Sequence, residues 1–243
     1  MKHLKSILIL LALASMPLLG HAQSDTARFA LRGYGLYDLH PAVGSVGGGA
    51  LILSYIPNSA YSLDLGFEGV SSQRYALRLS GSARLWGRFN LENRYLYRQY
   101  AQLNLQEFTS ALLLNWAAPH CRLSLGLCNR YHAELIQRSN GGQGTIFEPM
   151  NVMFEAEGWL RPITADAADW NVGLRWSNYN DFVIERVANW TYSLKGSFLL
   201  PHHTSLIAEV GIHPVGSLNL TSSYDGWFLH IGAQRNLGER RNK

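Results

Sequence analysis

The chain has 243 residues, of which 47% are apolar, 12% aromatic and only 16% charged. That charge content lies well below the roughly 25% of soluble domains, the apolar content excludes a disordered chain, and 23 glycines are too few for collagen. The formal charge is +4 and the pI about 9.1, yet only four of the 21 basic residues are Lys and the Arg residues are scattered, so no clustered face of the kind that binds nucleic acid is formed.

The segment Met1 to Ala22 starts basic at Lys2 and Lys5, runs apolar from Ile7 to Leu19 and ends on Gly20-His21-Ala22 before Gln23. The small residues mark a signal-peptidase site. The apolar run of about 13 residues is too short for the roughly 20 that cross a bilayer as a helix. A cleaved signal peptide over 1–22 is therefore expected, followed by one exported domain over 23–237 and a short basic tail over 238–243. Two cysteines remain, Cys121 and Cys128. On one strand their seven-residue separation is about 23 Å at roughly 3.3 Å per residue, with the side chains on opposite faces. A disulfide needs Cα atoms within about 7 Å, so two free thiols are expected.

From Arg28 onward apolar and polar residues alternate, and a period of two means strands with two different faces. The first run, Arg28 to Asp38, sets Phe29 and Leu31 against Arg28, Ala30 and Arg32. Val46 to Ile56 follows. In Tyr61 to Val70, Leu63, Leu65 and Phe67 oppose Ser62, Asp64 and Glu68. In Arg74 to Leu85, Tyr75, Leu77 and Leu79 oppose Arg74, Arg78 and Arg84. In Phe89 to Tyr100, Leu91, Tyr95 and Tyr97 oppose Glu92, Arg94 and Arg98. In Gln106 to Ala117, Phe108, Leu112 and Leu114 oppose Glu107, Thr109 and Asn115. In Cys121 to Glu134, Leu123, Leu125 and Leu127 oppose Arg122, Ser124 and Arg130. The later runs are Met150 to Leu160, Trp170 to Tyr179, Val187 to Leu200, Thr204 to His213 and Gly226 to Leu237. No run has the 3.6-residue period of an amphipathic helix, and no linker divides the chain.

Most of these runs exceed the 5 to 6 residues usual for sandwich strands and reach the 9 to 11 that a membrane strand needs. Their polar faces carry Arg and Glu at strand centres, which suit a small barrel's interior, while the apolar faces suit lipid. Closure removes every unpaired edge, which lipid demands. The even-numbered connections are short: Pro57-Asn58-Ser59, Trp86-Gly87-Arg88, Ala118-Pro119-His120 and Pro201-His202-His203. The odd-numbered ones Leu135 to Pro149 and Pro214 to Asp225 are long, and only the even connection Arg161 to Asp169 breaks the pattern. Such an asymmetry is that of periplasmic turns and external loops. Tyr55, Tyr61, Trp86, Phe89, Trp116, Trp170 and Phe198 gather beside the short turns, as aromatic girdles do. The expected fold class is all-β: a single closed antiparallel up-and-down transmembrane barrel of about twelve strands, with ten to fourteen compatible. A secreted β-sandwich that binds a ligand is the alternative all-β reading.

On these grounds the sequence resembles the outer-membrane β-barrel proteins of Gram-negative bacteria, over the whole chain after Ala22 and by pattern rather than by a short motif. The resemblance implies an outer-membrane location, outer-membrane lipid and the barrel-assembly machinery as partners, a monomer, and small polar solutes as cargo if the lumen is open. One departure is the C-terminus: such proteins often end on a terminal aromatic, whereas here Gly226 to Leu237 is followed by Gly238-Glu239-Arg240-Arg241-Asn242-Lys243.

Two sets of residues could carry chemistry. Gln137-Arg138-Ser139-Asn140-Gly141 resembles the His-x-Ser-Asn-Gly segment of outer-membrane phospholipase A. Ser139 and Asn140 match, but Gln137 stands where the base should be, and Gln cannot take a proton from a serine hydroxyl. A lipid hydrolase is thus the disfavoured alternative, and an external loop the simpler one. No metal motif or dinucleotide fingerprint occurs, and no cofactor is expected. The second set is the polar face, with Arg32, Arg78, Arg94, Arg122, Arg130, Glu68, Glu107, Glu155, Glu157 and Glu209 as lumen ion pairs or pore lining. Acidic and basic strands neighbour one another, so a cross-strand ion ladder is expected. A basic channel for acidic solutes would need an excess of one sign. Loss of Lys2 and Lys5 leaves 19 basic against 17 acidic residues, and the tail holds three basic and one acidic of these. The barrel region is neutral, which favours an interior whose arginines already have partners.

Overall fold

The computed structural model describes residues 28–40, 44–58, 60–70, 74–100, 104–134, 144–162, 170–178, 190–200, 204–215 and 223–237. Twelve strands account for nearly all of these: β1 (Arg28–His40), β2 (Gly44–Asn58), β3 (Tyr61–Val70), β4 (Arg74–Trp86), β5 (Phe89–Tyr100), β6 (Leu105–Ala118), β7 (Cys121–Glu134), β8 (Thr145–Trp159), β9 (Trp170–Ser177), β10 (Thr191–Leu200), β11 (Thr204–Val215) and β12 (Ser223–Leu237). Each pairs antiparallel with its sequence neighbours, and β1 closes on β12 from Phe29 opposite Leu237 to Leu39 opposite Trp227. Closure joins every strand to two neighbours, as a barrel in lipid requires, and the shortest ladder among the described residues is β8 with β9, from Glu155 opposite Ser177 to Trp159 opposite Gly173.

Turn chemistry sets the short-turn end. Asn58 Oδ1 accepts from the backbone N–H groups of Ala60 and Tyr61 at 2.8 and 3.1 Å, closing the β2–β3 turn. Gly87, between β4 and β5, sits at φ 53°, where a side chain is strained. Three prolines fall inside strands, and each lies at a break in register. Pro57 is between Tyr55 and Asn58, Pro149 opposes β7 where the register slips between Cys128 and Arg130, and Pro214 lies just beyond Ile212. Proline has no N–H to give the ladder, so it is confined to bulges. At the second, Met150 takes φ 52° and its N–H donates to Asn129 Oδ1 at 2.9 Å.

This bulge explains the largest shift from the sequence reading. Leu135 to Pro149 reads as a loop because a proline ends it, but β8 runs through Pro149 and begins at Thr145. The loop read as Pro214 to Asp225 is shorter for the same reason, since β11 continues to Val215 and β12 starts at Ser223. β9 ends at Ser177 and β10 starts at Thr191, inside the runs read as Trp170 to Tyr179 and Val187 to Leu200.

Alternation puts the large apolar side chains outside. Phe67 is 52% exposed and Leu125 59%, whereas their neighbours Glu68 and Ser124 are buried inside the ring. Exposed apolar side chains stand on eleven of the twelve strands, all but β5, far beyond the few hundred Å² that a soluble monomer tolerates in one patch. The face belongs in a bilayer. At its short-turn border the Phe29 and Tyr55 rings lie 5.0 Å apart, the Trp86 and Phe89 rings 5.5 Å apart, and the Arg161 guanidinium sits 3.8 Å over Trp170. A second aromatic border lies toward the long-loop end, where Trp176 meets Phe154 at 5.0 Å and Trp190 at 4.7 Å. Inside, a small apolar cluster of Ala111, Leu113, Cys128 and Met153 packs on the inner face of β6, β7 and β8. Cys121 and Cys128 are free thiols at the start and in the middle of β7.

Candidate functional site: the charged lumen

The inner face places the charged residues in two groups along the barrel. The first is at the long-loop end. Arg98 on β5 faces Glu107 on β6 in register, and Arg130 on β7 reaches the same carboxylate. Arg98 Nη1 and Arg130 Nη2 stand 3.3 and 3.4 Å from Glu107 Oε1. Thr109 Oγ1 donates to the same oxygen at 2.9 Å, and the Tyr100 hydroxyl donates to Oε2 at 3.2 Å. All three charged side chains are at most 3% exposed, so this carboxylate is saturated by donors as burial requires.

The second group occupies the middle and the short-turn half. Ladder register sets Glu157 of β8 between Arg122 of β7 and Arg175 of β9. Arg122 Nη2 is 2.9 Å from Glu157 Oε2 and 3.2 Å from Glu155 Oε1. Arg175 Nη2 is 2.5 Å from Glu155 Oε2, and its Nη1 is 3.5 Å from Glu209 Oε1. Lys195 of β10 pairs with Glu157, and Ser193 donates to Glu209 at 2.6 Å. Arg94, three strands away on β5, holds Glu92 at 2.6 Å and comes within 3.6 Å of Glu155. Arg32 bridges Ser54 at 3.1 Å and Asp64 at 3.3 Å. Glu68 is buried on β3 and shares a small recess with Arg78 of β4.

These side chains enclose a chamber of about 410 Å³. Six cations line it (Arg32, Arg78, Arg94, Arg122, Arg175 and Lys195) against four carboxylates (Asp64, Glu92, Glu155 and Glu209). Glu155 and Glu157 are the most buried of the set, at 3 and 4% exposed beside Arg122 at 36% and Lys195 at 21%, whereas Asp64, Glu92 and Glu209 are as exposed as their partners Arg32, Arg94 and Arg175. Glu155 and Glu157 therefore lie behind Arg122 and Lys195, while the remaining pairs meet the open space with both signs. A second cavity of about 270 Å³ adjoins the chamber, sharing Arg32, Asp64, Ser80, Glu92 and Arg122 with it.

Lys195, which alternates with Ser193 and Ser197 on the polar face of β10, is an inner cation missing from the expected set. The alternation of β4 predicts Arg84 inward with Arg78. Arg84 is instead exposed near the short-turn mouth, where its Nε and Nη2 donate to Gly87 O at 3.3 and 3.0 Å. The Gln137 to Gly141 segment, the 1–22 segment, the 238–243 tail and His202-His203 lie outside the described residues. Among the described residues no group of three or more His, Cys, Asp or Glu is placed to hold a metal ion.

No protein-family model matches the sequence, and no curated protein matches it. Solved structures do share the architecture. The KdgM porin, in a complex with disordered oligogalacturonate, is 11% identical over 85% of this chain and 98% of its own, with a TM-score of 0.51. Omp33, an outer-membrane protein of Acinetobacter baumannii, is 10% identical over 86% and 97%, also with a TM-score of 0.51. An outer-membrane channel from Pseudomonas putida F1 is 11% identical over 89% and 98%, with a TM-score of 0.50. At such identities the likeness is one of fold. A closed antiparallel barrel with an apolar outer face and a charged interior defines the class: this is a transmembrane β-barrel with the fold of these outer-membrane proteins. Within that class its architecture is porin-like, a single chain wound once into twelve strands.

Proposed function

We propose that the chain is a narrow pore of the outer membrane, a monomeric barrel set in lipid by the barrel-assembly machinery, which passes small polar solutes through a lumen walled by ion pairs. The observation that carries this reading is the chamber of about 410 Å³, together with its adjoining cavity, between charged inner walls. A lumen meant only as scaffold gains nothing from cations held at an open surface, since a buried ion pair is at best a weak source of stability. In this reading Arg32, Arg78, Arg94 and Arg122 line the path, Glu155, Glu157 and Glu209 hold the cations in place, and Glu68, Glu107 and Arg130 brace the wall. The chamber is lined by six cations against four carboxylates, so the pore favours anions weakly over cations of equal size.

Swelling of proteoliposomes in isosmotic solutes of graded size tests the proposal. Glycine and arabinose enter and swell the vesicles, whereas the tetrasaccharide stachyose does not. Equal resistance to all three, with the barrel folded in the vesicles, overturns the pore reading.

A further inference from the structure

The chamber of about 410 Å³ also carries apolar surface, which a path for small polar solutes does not need. Tyr34, Trp159 and Ile207 line it, all three half-buried. Ladder register places them in one stretch of wall. Trp159 of β8 lies over Gly173 of β9, where a Cβ would stand 2.6 Å from its Cε3 and 2.7 Å from its Cδ2. Gly173 is in turn the ladder partner of Lys195 on β10. Two residues along β10, Ser197 pairs with Ile207 of β11, and Ile207 pairs with Gly232 of β12. Tyr34 of β1 lies over Gly232 in the same way, since a Cβ there would stand 2.6 Å from its Cδ1. In both places a bare glycine lets an aromatic ring settle against the neighbouring strand. The wall thus runs from the Trp159 ring past Lys195 and Ile207 to the Tyr34 ring.

Cationic surface predominates at the Trp159 end of this wall. Arg122 Nη2 is 2.9 Å from Glu157 Oε2, and Lys195 pairs with the same carboxylate, two residues before Trp159 on β8. Arg122 is 36% and Lys195 21% exposed, against 4% for Glu157. Glu209, the ladder partner of Lys195 on its other side, is 16% exposed, and its Oε1 already accepts from Ser193 at 2.6 Å and stands 3.5 Å from Arg175. A solute arriving beside Trp159 therefore meets ammonium and guanidinium donors, which suit a carboxylate. Trp159 and Ile207 present apolar surface, which gains from contact with hydrocarbon and not with a shell of hydroxyls. The geometry points to a subsite for a small carboxylate with a flat apolar body, an aromatic carboxylate in chemical class. Its carboxylate meets Lys195 and Arg122, and its ring packs on Trp159 and Ile207. The volume agrees, since the chamber falls within the range of ordinary small-ligand pockets.

This subsite rests on the proposed reading of the chamber as open to solution, but it does not require passage through the barrel. Saturation-transfer NMR on the whole barrel in deuterated detergent micelles therefore tests it separately from conductance or swelling. The probes are benzoate, acetate, benzylammonium and glucuronate, which remove in turn the ring, the negative charge and the apolar character of the body. Benzoate is expected to give a saturable signal on the order of millimolar, with the other three at least fivefold weaker. Lys195→Gln weakens benzoate binding about fivefold through the lost charge. Trp159→Leu weakens it by a similar factor through the lost ring contact, without touching a charge. Heat-modifiable gel mobility verifies folding of each variant, and the comparison of probes on the unaltered barrel needs no variant. Saturable binding that prefers benzoate and weakens in each variant that folds supports the subsite, even where vesicles do not swell. An absent benzoate signal from a folded barrel, a signal unchanged in either folded variant, or equal binding of acetate, benzylammonium or glucuronate overturns it, even where the pore conducts.

Discussion

At the scale of single residues, the ion pairs of the lumen separate by burial. Glu107 sits between Arg98 and Arg130 with all three nearly dry. Glu107→Gln leaves two buried guanidiniums facing a neutral amide, and the expected cost is about 3 kcal/mol or more. Arg32 and Asp64 are each more than a quarter exposed, so Arg32→Gln costs under about 1 kcal/mol. Urea unfolding of the barrel in detergent compares the two; equal losses would mean that burial does not govern these pairs. The sequence shows part of this arrangement. A period of two places Glu155 and Glu157 on one face, and the same rule sets Arg94 and Arg98 on one face. It does not show which cation meets which acid. Arg94 on β5 comes within 3.6 Å of Glu155 on β8, a contact made by the curvature of a small ring and not by any ladder partner. Arg84 illustrates the same limit, because the turn carbonyl that captures it is a feature of local backbone geometry.

At the scale of strands and turns, the pattern of alternation is legible, and the ends and slips of strands are less so. Pro149 reads as the end of a loop, yet it occupies a bulge inside β8, where the Asn129 amide oxygen accepts from the Met150 N–H and holds Met150 at its positive φ. Nothing within β8 itself announces this, because the partner that makes the bulge tolerable lies on β7. Glycines give the strand-level prediction. A Cβ on Gly126 would lie 2.1 Å from the Leu112 carbonyl oxygen and 2.8 Å from Leu113 Cα, both backbone atoms of β6. A Cβ on Gly158 would meet nothing within 4 Å. Gly126→Ala must push two paired strands apart, at a cost of about 1–3 kcal/mol or more, while Gly158→Ala stays within about 0.5 kcal/mol. Refolding yield into detergent, read by heat-modifiable mobility, checks both. Similar yields would show that β6 and β7 do not approach as closely as this.

At the scale of the whole molecule, strand length and the apolar outer face decide the class, and both are local enough to be read from the sequence. Strands of 8 to 15 residues that alternate throughout leave a membrane barrel as the one architecture that buries the Leu-rich face in lipid and satisfies every backbone group. Leu125 lies near the middle of β7 on that face. Leu125→Arg puts a guanidinium near the bilayer midplane and is expected to cost about 2–4 kcal/mol. A neutral effect on folding in lipid vesicles would mean that this face does not meet lipid. Net charge is the property whose meaning changes most with scale. The +4 of the full chain gives way to a balanced barrel region, and the balance itself is uneven in space, with six cations against four carboxylates around the chamber and Glu155 nearly dry behind Arg122. Composition cannot show that inversion, because it depends on which side chain covers which.

The central claim is that this charged lumen is an open, narrow path. Single-channel recording in a planar bilayer, across a KCl gradient, tests it most directly. Small current steps of uniform size are expected, with a zero-current potential of the sign for chloride preference, diminished in Lys195→Gln. The absence of any steps from a barrel shown to be folded and inserted would contradict it.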